Sequence, residues 1–121
     1  MVKKRFPSTI QGLVAEYKQF TVDYYTACEG ENFEKQKKAG SRVNQIVLDL
    51  DSFGAEGRLA LVPLLDDADQ GVRVFAAADL LRVMPERAVA VLEEIRKGPT
   101  IFPRLDAISF LKSYTEGRWG R

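Results

Sequence analysis

The chain is 121 residues long, with 45% hydrophobic and 29% charged residues, which is typical of one soluble globular domain. Its 18 basic and 17 acidic side chains leave a net charge of +1, and the two signs are interspersed. Nucleic-acid binding depends on a concentrated positive face, so this balance argues against a nucleic-acid partner.

Histidine is absent, and the chain has a single cysteine, Cys28. The lack of imidazole removes the commonest general base and the commonest zinc ligand. One thiol can form neither an internal disulfide nor a structural zinc site. No apolar stretch is long enough for a signal-peptide core or a membrane span. We therefore expect a cytoplasmic protein with no metal, no cofactor, no catalytic residue and no membrane contact.

The first half of the chain predicts two long helices, over 8–30 and 32–54. A hydroxyl or amide side chain can cap the start of each, and a glycine ends each. Gly40 weakens the second helix by about 1 kcal/mol relative to alanine, which would allow a bend or break there. The apolar stripe of the first helix consists of Ile10, Leu13, Val14, Tyr17, Phe20, Tyr24 and Cys28.

The second half predicts four shorter helices. The third covers about 55–65 and contains Pro63, which lacks a backbone donor, so this helix should kink or start late. The fourth covers 71–84 and the fifth 85–97, while Thr100 can cap the sixth. The sixth helix is predicted to bury a stripe of Ile101, Leu105, Ile108, Leu111 and Tyr114.

A repeat of thirty residues relates these elements. Four apolar residues recur at this interval: Leu59, Leu61, Val62 and Leu65 correspond to Val89, Val91, Leu92 and Ile95. The runs 42–50 and 73–81 also share an Arg-Val start and a leucine end. Such a period indicates three stacked helical hairpins, hence one domain over 1–121. Residues 1–7 and 115–121, including Trp119, lack periodicity and are expected to be flexible ends.

The run 64–81 resembles a HEAT repeat. It contains a leucine pair, an Asp-x-Asp turn, Val-Arg, an alanine pair and a leucine, in that order. The whole chain is also similar to small bacterial single-domain HEAT-like proteins with no assigned activity. The resemblance implies an all-α fold, a short right-handed α-solenoid of three antiparallel hairpins whose second helices line the concave face. Some proteins of this type are immunity partners of toxins, although no residue here identifies that role.

The acidic turn at Asp66, Asp67 and Asp69 has two interpretations. A calcium site needs six to eight oxygens from a longer loop, so we expect a turn that caps the fourth helix instead. Arg73 could face an anionic ligand. We favour pairing with a carboxylate or carbonyl of the neighbouring repeat, because arginines at interfaces are usually paired.

The candidate partner-binding residues lie on the second helices of the predicted hairpins. Phe75 stands off the centre of its core stripe, near Asp79 and Arg82, and the corresponding positions on the flanking helices are Asn44 and Leu105. An aromatic residue among polar ones is typical of an interface anchor. The alternative, that Phe75 packs against the first or third hairpin, stays open. The full set is Arg42, Asn44, Phe75, Asp79, Arg82 and Leu105.

These patterns predict a non-enzymatic module that binds another protein through the concave second-helix face, with an immunity-type protein as one version. One alternative is a protein that binds a small ligand or nucleic acid in the same groove. Another is a homo-oligomer whose exposed apolar helix associates with a second copy.

Overall fold

A computed structural model describes residues 9–118, and these residues form six α-helices and one 3-10 segment, with no strand in that range. The elements are α1 (Ile10–Glu29), α2 (Phe33–Asp51), α3 (Ala55–Leu59), the 3-10 segment Val62–Asp66, α4 (Gln70–Leu80), α5 (Pro85–Arg96) and α6 (Ile101–Thr115). The all-helical prediction is confirmed. Trp119 and the predicted end at 1–7 lie outside the described residues.

Three of the predicted helix caps form as the sequence indicates. Thr9 accepts a hydrogen bond from the Gly12 amide, and Asn32 accepts one from the Lys35 amide. Asp69 likewise accepts from the Val72 amide at 3.0 Å and so begins α4. Each side-chain oxygen satisfies a backbone donor that lacks a partner within its own helix.

Proline divides the third predicted helix into two pieces. The α-helical turn ends at Leu59, and a 3-10 segment with Pro63 near its start follows. Because proline has no amide hydrogen, it is tolerated in the first turn of a segment but not in its interior. The predicted kink is therefore a complete break.

Gly40 does not break α2. The helix is continuous from Phe33 to Asp51. A Cβ atom at Gly40 would lie 3.5 Å from the Tyr24 ring, so this glycine stands in contact with α1. The packing of α2 along α1 outweighs a propensity cost of about 1 kcal/mol.

Consecutive helices pack in pairs, α1 along α2 and α5 along α6, with α4 between the pairs. The first helix, α1, also contacts both α4 and α6. The resemblance to a HEAT repeat implies that α2, α4 and α6 line one face, but in the first pair it is α1 that makes the larger contact with α4 and α6. The α1–α6 contact brings the first pair of helices against the last, whereas each repeat of a one-dimensional stack contacts only its neighbours.

The buried stripe of α6 differs from the predicted one. Pro103 and Ala107 are buried, and the partly buried residues packed on the core are Phe110, Leu111 and Tyr114. The predicted core residues Ile101, Leu105 and Ile108 are exposed instead. Both sides of α6 are apolar, so periodicity alone does not determine which side faces the core.

A buried polar network joins α1, α3 and α4. The Tyr17 hydroxyl donates to Oδ2 of Asp79 at 2.7 Å, and Nη1 of Arg58 donates to the Asp79 carbonyl at 2.7 Å. Arg58 also forms two hydrogen bonds with the Asp51 carboxylate, at 3.0 and 2.6 Å. Buried polar groups are nearly always paired in this way, because an unpaired one is costly.

Replacing Tyr17 with phenylalanine should therefore destabilise the fold. The change removes the hydroxyl donor from a buried carboxyl group and should lower the free energy of unfolding by about 1.5–3 kcal/mol. Urea denaturation followed by circular dichroism measures the loss. Tyr114→Phe, a partly buried tyrosine of α6, is the matched control, and equal losses in the two variants would contradict the role of the network.

Two helix-interior glycines should respond oppositely to alanine. A Cβ atom at Gly57 would overlap the backbone carbonyl of Leu50, so Gly57→Ala should cost about 1–3 kcal/mol. At Gly40 the new methyl group makes an ordinary contact with the Tyr24 ring, and Gly40→Ala should gain up to about 1 kcal/mol. Thermal unfolding of both variants measures the signs. A tolerated Gly57→Ala would mean that α3 does not approach α2 this closely.

Candidate partner-binding surface

The six predicted partner-binding residues do not form one surface. Asp79 is fully buried in the polar network, so it leaves the candidate set. Arg42 is partly buried, pairs with Glu16 at 3.2 Å, and lies 5.2 Å from the centre of the Phe20 ring. Arg82 is exposed and lines a separate hollow beside Asp51 and Arg58.

Phe75 is the centre of an aromatic cluster that joins the first and last helix pairs. Its ring centroid lies 5.1 Å from that of Tyr24 and 5.5 Å from that of Tyr25, both on α1. On the other side it lies 6.3 Å from the Phe110 ring of α6. The two interpretations left open by the sequence are thus resolved toward packing, since Phe75 contacts both pairs at aromatic distances.

Asn44 and Leu105, the remaining predicted residues, lie at two adjoining hollows. Tyr24, Phe33 and Gln36 line both hollows. The first continues along α2 past Gly40 to Asn44, and the second, of about 310 Å³, reaches α6. We call the two hollows together the Phe33 groove. The second, which we call the α6 hollow, is lined by Tyr24, Cys28, Glu31, Phe33, Gln36, Phe102, Leu105 and Asp106.

Large apolar side chains surround the α6 hollow and continue along α6. Phe33 is 77% exposed at the first position of α2, and Leu105 is 52% exposed. Ile101, Phe102 and Ile108 are also exposed. Positions 101, 105 and 108 have the four- and three-residue spacing of one helix face. Contiguous exposure of this kind marks a binding surface more often than isolated apolar residues do.

Two acidic side chains, Asp106 and Glu31, are among the residues that line the α6 hollow. The Tyr25 hydroxyl donates to Oδ2 of Asp106 at 2.6 Å, and burial raises the pKa of the Asp106 carboxyl. Within residues 9–118, neither Asp106 nor Glu31 has a basic partner. Glu31 has a φ of 54°, in the left-handed region that non-glycine residues rarely adopt.

The acidic turn and Arg73 have the structural roles that the sequence favours. Arg73 donates to the Leu65 carbonyl at 2.8 Å and pairs with Glu94 at 3.0 Å, which lowers the pKa of that glutamate. Asp67 pairs with Lys18 at 2.9 Å. The Asp69 amide donates a hydrogen bond to the Asp67 carboxylate and lowers the pKa of Asp67, and the nearby Lys18 lowers it further. Over the part of the chain described, no three acidic or sulfur-bearing side chains group as metal ligands do.

The sequence did not identify four members of this surface. Phe33 is not among the predicted partner-binding residues, and Ile101 and Ile108 are predicted to be buried in the core. Phe102 was not assigned. The signal that was present is the spread of apolar residues around the helix over 101–111, since they cannot all lie in one core-facing stripe.

These features define an all-helical domain with an apolar groove on its surface. The family model described as "Domain of unknown function (DUF2019)" matches residues 11–112, and the chain belongs to this family. The crystal structure of the protein RPA1889 from Rhodopseudomonas palustris CGA009 is similar, with 26% sequence identity and a TM-score of 0.86 over 93% of each chain. No curated protein matches the chain. Among the helices described, none is long and apolar enough to cross a membrane.

Replacing Asp106 with asparagine should stabilise the fold at neutral pH. Burial raises the pKa of Asp106 above its usual 3.8, so the wild type is most stable, relative to the variant, while this carboxyl is protonated. That advantage disappears as the pH rises through the raised pKa. The melting temperature of Asp106→Asn minus that of the wild type should therefore increase from pH 3 to pH 7.

Thermal melts by circular dichroism at several pH values measure this difference. Glu29→Gln, which removes an exposed carboxylate from α1, controls for the loss of one negative charge. A difference that shrinks as the pH rises would show that the Asp106 carboxylate is stabilised by the fold rather than penalised by burial.

Proposed function

We propose that this protein is a non-enzymatic binding module, and that the Phe33 groove with the exposed face of α6 receives another protein. The observation that carries the proposal is the row Ile101, Leu105 and Ile108, which stands exposed beside Phe33 and Phe102. Full burial of a leucine, isoleucine or phenylalanine side chain is worth about 1.5–3 kcal/mol. A partner that buries this row would gain up to about this free energy for each side chain.

The HEAT-like interpretation supports a binding role. We propose that the helix pairs form a shortened HEAT-like stack that the α1–α6 contact closes. Stacked helical pairs present extended surfaces to other macromolecules, and an immunity-type partner of a toxin is one form of such a role. In this arrangement the partner binds beside the seam between the first and last pairs rather than on a face lined by α2, α4 and α6.

The titratable groups support binding more than catalysis. General acid–base work needs groups that face a substrate site and titrate near its operating pH. Arg58, Arg73 and Arg87 each pair with a carboxylate, and these pairs join neighbouring elements of the fold. At the groove, the raised pKa of Cys28, caused mainly by burial, disfavours the thiolate that a nucleophile requires.

A charge placed on α6 should abolish partner binding, whereas the same charge on α2 should not. Leu105→Asp puts a carboxylate among apolar side chains at the groove. Leu48→Asp is the matched control, because Leu48 is 60% exposed and does not line the groove. Random peptides displayed on phage are selected on the wild-type protein, and their affinities for the three proteins are measured by fluorescence anisotropy.

Selected peptides should bind the wild type and Leu48→Asp equally and should lose at least tenfold in affinity for Leu105→Asp. Equal binding to all three proteins would place the binding surface elsewhere and contradict the proposal. Sedimentation equilibrium of the same proteins tests the homo-oligomer alternative. A dimer that only Leu105→Asp dissociates would mean that a second copy covers α6.

A further inference from the structure

We infer that the α6 hollow receives a lysine or arginine side chain of the partner, which enters between Phe33 and Phe102 and pairs with the Asp106 carboxylate. The inference rests on the proposed function, because it assigns chemistry to the partner that the Phe33 groove would bind. It follows from the composition of the hollow, its size and the one-sided bonding of Asp106.

The composition of the α6 hollow favours a cation. Three aromatic side chains, Tyr24, Phe33 and Phe102, line it together with two carboxyl groups, Glu31 and Asp106. Aromatic faces attract cations through the ring quadrupole, by about 0.5–1 kcal/mol at exposed sites and more when desolvated. No lysine or arginine lines this hollow within the part of the chain described. The carboxyl groups and the aromatic rings of the hollow therefore both favour a cation.

Within residues 9–118, only one carboxyl oxygen of Asp106 accepts a hydrogen bond. The Tyr25 hydroxyl of α1 donates to the Oδ2 atom of Asp106 and so fixes the carboxyl group in place. Within residues 9–118 its Oδ1 atom has no donor. Burial without a cation disfavours the ionised form of this group, and an ammonium or guanidinium group at Oδ1 would restore it.

The size of the hollow fits one side chain. Pockets for small ligands begin at about 300 Å³, and this hollow has about 310 Å³. The aliphatic stem of a lysine or arginine can pack against Leu105 and the two phenylalanines while its charged end reaches Asp106. Apolar neighbours of that residue in the partner would then cover Ile101 and Ile108 along α6.

Lys37 makes the two ends of the Phe33 groove differ in charge. This lysine lines the other hollow of the Phe33 groove, on the α2 side of Phe33. The groove thus has acidic groups toward α6 and a basic group along α2. A partner segment with a basic residue should bind in one orientation, since the reverse orientation would bring its positive charge toward Lys37.

A small cation tests the hollow without any partner. In an NMR titration of the ¹⁵N-labelled wild type, n-butylammonium chloride should shift the amide signals of Glu31, Phe33, Phe102 and Asp106. The same concentration of 1-butanol, a neutral molecule of similar size, should not shift them. Asp106→Asn should lose the response to the cation by at least tenfold in apparent affinity. Equal shifts from the cation and the alcohol would overturn the inference.

The selected peptides separate this inference from the proposed function. Replacing their lysine or arginine with norleucine should weaken binding to the wild type by at least tenfold. Asp106→Asn should weaken binding of the basic peptide by a similar factor but leave the affinity of the norleucine peptide unchanged. A double-mutant cycle requires this result for a direct pair.

The outcomes are distinguishable. If Leu105→Asp abolishes peptide binding but the norleucine replacement does not weaken it, the inference is overturned and the proposed function stays in place. Selection that yields no peptides, or only peptides that Leu105→Asp does not affect, would overturn both.

Discussion

The hydrogen bond between Tyr17 and Asp79 fixes how the first helix meets the rest of the domain. Both residues are fully buried, so the carboxyl group depends on the protein for its donors. The Asp79 backbone carbonyl also accepts from Arg58, which brings α3 against the same point of α4. Two turns further along α1, Tyr25 repeats the arrangement with Asp106 of α6. One face of α1 therefore determines the positions of both α4 and α6.

This constraint explains why α6 exposes apolar residues. Either side of the helix offers similar hydrophobic area, so burial alone does not select one. The Tyr25–Asp106 hydrogen bond and the contact of Phe110 with Phe75 select the side that faces α1 and α4. The opposite side, with Leu105 at its centre, is then left exposed. The contacts that complete the core thus also create the surface that we propose for the partner.

Local chemistry made much of the fold predictable. Thr9, Asn32 and Asp69 cap their helices as predicted because capping depends on residues within one turn. Arg73 pairs across neighbouring elements as its position in the repeat indicates. The burial of Asp79 was not predictable in this way, because its donor Tyr17 is 62 residues away in the sequence. A charged residue on a helix is ordinarily read as exposed, and only the tertiary partner reverses that reading.

The candidate surface was less predictable than the fold for the same reason. The repeat pattern assigns α2, α4 and α6 to one face, and that assignment brings Asn44 and Leu105 to the same groove. It fails for Arg42 because α1, and not α2, is the neighbour of α4 and α6. A periodic sequence describes each pair of helices well but does not record whether the first pair contacts the last.

The contact between the first and last helix pairs has a consequence for the proposed binding. The Phe33 groove takes Phe33 from the first helix pair and Leu105 from the last, so a bound partner contacts both sides of the seam between them. A ligand that binds the folded domain and not the unfolded chain stabilises the fold by RT ln(1 + [L]/Kd). The Tyr25–Asp106 hydrogen bond joins α1 to α6 in the same seam, and Asp106 also lines the groove. If the proposed partner binds there, its binding and the contact between the two helix pairs should be thermodynamically coupled, because the same few residues serve both.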